Sequence, residues 1–309
     1  MGTAAFRIEA FFFAPATDNW LALLRLGLGS QLACYCLALN SSWSLFLSGT
    51  EQGLITREFA EVMVSSQSPF IPRISWLIIA GNWVGLEEQT SLTLVWFALF
   101  LAACCLVAGF CCRTAACSAW LLHLGVAKSA GLFSYGVDNL MTIGLFYLML
   151  SPLPDGHALD ARRWRRRPSD PRMLRFFCRV LQLHLCLIYF FGGLTKCLGR
   201  GWWDGSNIWR ALTRPPFNVI SPDIIASWSF WLPAIGIATW IVELAYPAMI
   251  WPARTRPIWL TLTCAMHLAI GFAMGMYLFA FVMIVLNVAA FGTNTRSAVA
   301  ASHPTNALS

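Results

Sequence analysis

Met173-Leu-Arg-Phe-Phe-Cys-Arg-Val-Leu-Gln-Leu-His-Leu-Cys-Leu-Ile-Tyr-Phe-Phe-Gly-Gly-Leu-Thr-Lys-Cys197 follows closely on Arg162-Arg-Trp-Arg-Arg-Arg167. A bilayer-crossing helix needs roughly 20 predominantly apolar residues, and residues 173–197 supply them. Eight arginines lie between Arg162 and Arg179, all toward one end of this run. A basic cluster beside a long apolar segment anchors a helix on the cytoplasmic, anionic face of a membrane. Nucleic-acid binding is the poorer reading, because no soluble fold accompanies the cluster.

The rest of the chain agrees. Of 309 residues, 58% are hydrophobic and only 11% charged, and the mean hydropathy is +0.64. Soluble domains carry about 25% charged residues, so an ordinary soluble enzyme is excluded, and so is disorder. We expect an all-α polytopic membrane protein with about eight spans: 20–40, 91–110, 115–131, 138–151, 173–197, 226–251, and 258–291 broken in two at Gly271–Gly275. The stretch 71–85 is too short to cross and should lie along the interface or fold back. Residues 1–292 form the membrane domain and 293–309 a short cytoplasmic tail.

Charge sets the orientation. The Arg113 turn, the arginine loop, the Arg254/Arg256 turn and the Arg296 tail alternate with the acidic connection Glu51–Glu88. The positive-inside rule then puts both termini in the cytoplasm. The N-terminus carries no cleavage-site pattern, so the first span is read as retained. The eleven cysteines show no CxxC or Cys/His zinc spacing and read as packing residues. A faint echo also exists: Arg113-Thr114 with His123-Leu124, and Arg254-Thr255 with His267-Leu268.

Soluble-enzyme signatures are missing, namely P-loop, GxGxxG, HExxH and GxSxG. The informative residues are ionisable groups within apolar runs, which are costly and tend to be functional. Only two of 21 basic residues are lysines, Lys128 and Lys196. At about 100° per residue, Gln182, Tyr189, Gly193 and Lys196 share one stripe, and His184 points away from it. Snorkelling from a helix end is the competing account of Lys196 and the favoured one for Lys128. Unlike arginine, lysine can give up its proton when desolvated. Glu243 lies deep in its span and must pair, coordinate or stay protonated; Arg25 is one possible partner. Asp138-Asn139 open the short fourth span, where an N-cap alone would explain the aspartate. His123 and His184 read as packing histidines, His267 stays open, and no metal set is apparent.

On these residues the chain resembles the HTTM family, the membrane module shared with vitamin K-dependent γ-carboxylases. Tyr189-Phe-Phe-Gly192-Gly193-Leu-Thr-Lys196 followed by Trp202-Trp-Asp-Gly205 is similar to its Tyr-x-x-x-Gly-x-x-Lys…Trp-x-x-Gly signature, and the match runs from Leu23 to Phe291. Asn139, Glu243 and His267 are weaker matches. The resemblance implies that Lys196 is a general base in an outward-facing pocket. Tyr189, Glu243, His267 and Asn139 would take part, with Gly193 and Trp202 of the signature lining the cofactor site; Gln182 and Gly192 join that lining from the polar, glycine-pierced face of the helix. The implied cofactor is a reduced quinone and the implied setting a bacterial inner membrane.

Asn139 stands where the carboxylases have a histidine, and one lysine follows Thr195 where they have two. The sequence also holds no counterpart of their luminal substrate domain, so glutamate carboxylation is not expected without a partner protein. Two functions follow. One is a quinone- or lipid-dependent enzyme using Lys196. The other is a non-catalytic membrane factor for the maturation, export or immunity of a secreted peptide. A transporter is a third, weaker reading, and nucleic acid is not an expected partner.

Overall fold

The computed structural model describes residues 2–49, 57–131, 134–163 and 170–293, and among them every regular element is helical. Glu51, the arginine run at 165–167 and the tail from 294, including Arg296, lie outside the described residues. The α-helices are α1 (Gly2–Phe13), α2 (Asn19–Leu39), α3 (Trp43–Leu47), α4 (Arg57–Gln67), α5 (Ile74–Trp83), α6 (Glu88–Ala108), α7 (Cys112–Ser129) and α8 (Gly136–Leu150). They continue as α9 (Leu159–Arg163), α10 (Pro171–Leu198), α11 (Ser206–Thr213), α12 (Pro222–Ser227), α13 (Leu232–Met249), α14 (Arg256–Met274) and α15 (Tyr277–Asn287).

Five stretches are long and apolar enough to cross a membrane: Asn19–Leu47, Glu88–Ala108, Pro171–Leu198, Ser229–Met249 and Arg256–Met274. Gly136–Leu150 and Tyr277–Gly292 are apolar but shorter. The chain is thus an all-α protein with the helices of a multi-pass membrane protein.

Local chemistry explains where the helices stop. Gly109, at φ 73°, ends α6 in the left-handed conformation that a glycine adopts without steric cost. Asp160, from the first turn of α9, caps α7 by accepting from the Cys111 and Cys112 backbone N–H groups at 2.9 and 2.8 Å. Asp170 accepts from the Arg172 N–H at 2.9 Å and Pro171 opens α10, both standard devices for starting a helix. The overlong run 258–291 breaks at Gly275, φ 69°, between α14 and α15.

Two groups of four helices share one packing pattern. α2 lies along α6, which turns back into α7 and then α8; α10 lies along α13, which turns back into α14 and then α15. The groups meet where α15 packs on α2 and α8. The His-Leu pairs of the echo fall on the third helix of each group, α7 and α14, and the Arg-Thr pairs lie at or just before the start of that helix. A buried ion pair ties the first group together. Arg25, 1% exposed, donates from Nε to Asp155 Oδ2 at 2.6 Å and from Nη1 to the Leu106 carbonyl at 2.5 Å.

Several boundaries differ from the sequence expectation. Residues 2–13 form α1, which packs on α10 with Phe13 stacked on Phe176 at 5.6 Å. The sixth apolar helix begins at Leu232 and not at 226, because Pro222–Ser227 forms the separate α12 and Pro233 starts a new helix. The stretch 71–85, by contrast, keeps to one of its two expected arrangements and packs back as α5 against α6 and α7, burying Ile74 and Ile78. Arg25 is taken by Asp155 and is not the partner of Glu243.

Candidate functional site

Lys196 occupies the last turn of α10, the end away from Arg172, Arg175 and Arg179. A cation there is favoured by the unpaired carbonyls of the helix C-terminus. Its Nζ lies 2.6 Å from Glu243 Oε2 of α13, 3.4 Å from the Gly192 carbonyl and 5.3 Å from the centre of the Trp202 ring. The side chains of Lys196 and Glu243 are 23% and 10% exposed.

Two glycines allow this approach. A Cβ on Gly193 would stand 2.5 Å from the Leu244 backbone nitrogen and 2.9 Å from its Cα, so no larger residue fits between α10 and α13. A Cβ on Gly192 would reach within 3.2 Å of Glu243 Oε2. Trp202 is positioned by the turn that follows α10, where its carbonyl lies against Gly236 of α13. Asp204 stabilises that turn. The Ser206 N–H, 2.9 Å from its carboxylate, holds it below the usual carboxylate range.

The pair faces a cavity of about 860 Å³. One wall is the first two thirds of α13, from Leu232 to Glu243; the other is α14 from Leu262 to Met274. Both are the parts of this hairpin remote from its turn, so the cavity fills the open end of a V. Ile208 and Leu212 of α11 and Ile224 and Ile225 of α12 cover that end. The wall is aliphatic and aromatic except at Lys196, Glu243, Thr239 and His267.

Behind His267 runs a buried polar chain. The Tyr189 hydroxyl lies 2.8 Å from His267 Nε2, Asn287 Nδ2 donates to the Tyr189 oxygen at 2.7 Å, and the Tyr246 hydroxyl donates to Asn287 Oδ1 at 2.7 Å. The Tyr189 and Tyr246 rings pack with centroids 4.2 Å apart. His267 is 3% exposed, and its Nδ1 has no hydrogen-bond partner.

The structure therefore brings together Lys196, Glu243, Gly192, Gly193 and Trp202, with His267 in the same cavity wall and Tyr189 bonded to it. Two residues assigned to the site from the sequence, Gln182 by its stripe and Asn139 by resemblance, stand elsewhere. Gln182 donates to the Ala290 carbonyl at 2.5 Å. It lies fourteen residues before Lys196, roughly 21 Å at 1.5 Å per residue. Asn139 is exposed on α8 and is not part of the cavity wall. Its neighbour Asp138 caps α8 through the Tyr135 N–H at 3.0 Å and accepts the Tyr35 hydroxyl at 3.1 Å, beside His123. His184 bonds Tyr147 at 2.8 Å, on the other side of α10.

Asn287 and Tyr246 belong to the cluster but were absent from the sequence candidates. Asn287 had a signal, as the only amide in the run 278–291. Tyr246 had none beyond its place one helical turn after Glu243. Among the described residues no group of His, Cys, Asp and Glu side chains is arranged to hold a metal ion. Comparison of the chain with protein-family models, curated proteins and solved structures finds no match in any of the three.

Proposed function

We propose that this protein is a quinone- or lipid-dependent membrane enzyme in which the α13–α14 cavity binds an amphiphile and Lys196 acts as its general base. The observation that carries the reading is one ion pair set in an otherwise apolar cavity. An internal ion pair is seldom the most stable choice, since apolar residues of similar volume often serve as well or better. Keeping Lys196 and Glu243 in this wall therefore points to a ligand. An apolar tail suits the α13 and α14 walls, and a polar head suits the pair.

A quinone fits the residues present. A volume of about 860 Å³ is within the roughly 300–1,000 Å³ of small-molecule sites. The ammonium of Lys196 and the partnerless His267 Nδ1 suit ring oxygens. A reduced quinone, when bound, supplies an acidic ring hydroxyl. The chain's own part is to hold that head and to move a proton. Across 2.6 Å, Nζ passes a proton to Glu243 Oε2, leaving a neutral amine beside a neutral acid. The pair has no net charge before or after, so the transfer puts no new net charge in the apolar wall. The amine is then a base at the cavity surface, and closure of the cavity by α11 and α12 limits competing water.

The same reading includes eight crossings, counting α7, α8 and α15 with its following turn, and both termini in the cytoplasm. The arginine alternation supports it, and Lys196 then faces outward. The resemblance to the HTTM module adds to this reading through Tyr189, Gly193, Lys196, Trp202 and Gly205. The exposed position of Asn139 favours the second reading, a membrane factor that binds its ligand without chemistry.

Amine labelling tests the binding claim, with Lys128 as internal reference. Full-length protein in mild detergent is treated with an amine-modifying reagent, with and without a short-chain menaquinone. The menaquinone should suppress labelling at Lys196 several-fold and leave Lys128 unchanged. Equal labelling of Lys196 in both samples would remove quinone binding from the account.

A further inference from the structure

We infer that His267 presents Nδ1–H at the cavity wall as the donor that recognises an acceptor oxygen on the bound amphiphile, with its polarity set by Tyr246, Asn287 and Tyr189. The inference rests on the binding role proposed for this cavity and specifies the head group it takes.

The direction of each hydrogen bond follows from the one before it. The Met283 carbonyl can only accept, and it lies 2.8 Å from Asn287 Nδ2, which fixes the orientation of that amide. Asn287 Oδ1 is then the acceptor for the Tyr246 hydroxyl at 2.7 Å. The second Nδ2 proton goes to the Tyr189 oxygen, also at 2.7 Å. Tyr189 is 3% exposed, and its own proton has His267 Nε2 as acceptor at 2.8 Å. An Nε2–H tautomer would make the Tyr189 oxygen accept from both His267 and Asn287 and strand the buried hydroxyl proton. His267 is thereby held as the neutral Nδ1–H tautomer, since the partner of one ring nitrogen decides the state of the other.

That leaves the Nδ1–H buried with nothing to bond. Buried donors are nearly always satisfied, and this one belongs to a residue that lines the cavity holding Lys196 and Glu243. The ligand therefore meets two separate polar points. At Lys196 and Glu243 it can carry a hydroxyl; at His267 it must offer an oxygen that accepts. A ring with two oxygens satisfies both, whereas a prenyl alcohol, with one hydroxyl, satisfies only one.

Two substitutions separate the ring nitrogens. In His267→Asn the amide nitrogen takes the place of Nδ1 and keeps the donor. In His267→Gln the amide reaches the place of Nε2, keeps the Tyr189 contact and loses the donor. The probes are menaquinone-2 and the prenylated 2-methylnaphthalene of the same tail, which lacks both ring oxygens. Wild type and His267→Asn should prefer menaquinone-2, and His267→Gln should lose about tenfold of that preference, the effect of one unmet buried hydrogen bond. Equal preference in all three proteins overturns the proposal. Separately, ¹⁵N resonances of histidine-labelled full-length protein, assigned with His267→Asn, should show His267 neutral and protonated on Nδ1. A proton on Nε2 overturns the proposal on its own. If wild type binds neither probe yet carries the Nδ1 proton, the ligand role of His267 falls with the cavity's binding role, while the polarity of the chain stands.

Discussion

Replacing Lys196 by Met strands the Glu243 carboxylate in an apolar wall, where it is only 10% exposed. Removing one partner of a fully buried ion pair costs 3–5 kcal/mol. Lys196 is 23% exposed, so some water already reaches the pair and the cost lies at the low end of that range, about 3 kcal/mol. Glu243→Gln leaves the ammonium unpaired, but the lysine stem can turn toward the helix end, and the amide still accepts a hydrogen bond; about 2 kcal/mol is expected. Glu243→Ala should cost more, because it also leaves a void. Lys196→Met combined with Glu243→Gln removes both charges and should cost only about 2–3 kcal/mol, which makes the two sites coupled by about 2–3 kcal/mol. Equilibrium unfolding of the purified protein in mixed detergent–SDS micelles, followed by tryptophan fluorescence, measures all four. Additive costs, within about 0.5 kcal/mol, would refute the pairing and with it the proton-transfer argument.

Three further outcomes are expected. Asp155→Asn should destabilise by about 3–5 kcal/mol in the same unfolding assay, because it leaves Arg25, 1% exposed, without its counter-charge; Arg25→Lys should not be neutral, since Arg25 binds both Asp155 oxygens, at 2.6 and 3.2 Å. Gly193→Ala should cost at least about 1–3 kcal/mol and weaken menaquinone-2 binding, because its Cβ collides with the Leu244 backbone and must separate α10 from α13; unaltered binding would detach the helix contact from the site. A cytoplasm-only reporter fused after Trp203 should stay silent, and a strong signal there would break the eight-crossing topology.

The apolar helices were legible because bilayer crossing demands a long apolar run, and such runs are visible in 20–40, 91–110 and 173–197. Gly275 was legible as a break because no single helix needs 34 residues to cross. Short amphipathic pieces were not. α1, α11 and α12 are each a few turns, and their sides are defined only by what they pack against. Lys196 and Glu243 stood out individually, because ionisable groups in apolar runs are conspicuous. Their pairing was not legible, since 47 residues separate them and no spacing rule links two helices. The same holds for Arg25, whose partner lies 130 residues away in a loop. The stripe of Gln182, Tyr189, Gly193 and Lys196 does face the bundle, yet a stripe runs the whole length of a helix. It holds Gln182 at one end and Lys196 at the other, so sharing a face did not mean sharing a site.

The cavity itself gives the most direct test. A prenylated naphthoquinone carrying a photoactivatable group on its tail would be cross-linked to the full-length protein in lipid nanodiscs, and the adducts mapped by mass spectrometry. Adducts should concentrate on the α13 and α14 walls, at residues such as Val242, Met266 and Ile270, and disappear when menaquinone-2 is in excess. Adducts scattered over exposed residues outside the cavity such as Leu101, Leu187 and Phe272, and unaffected by menaquinone-2, would contradict a binding site between these helices.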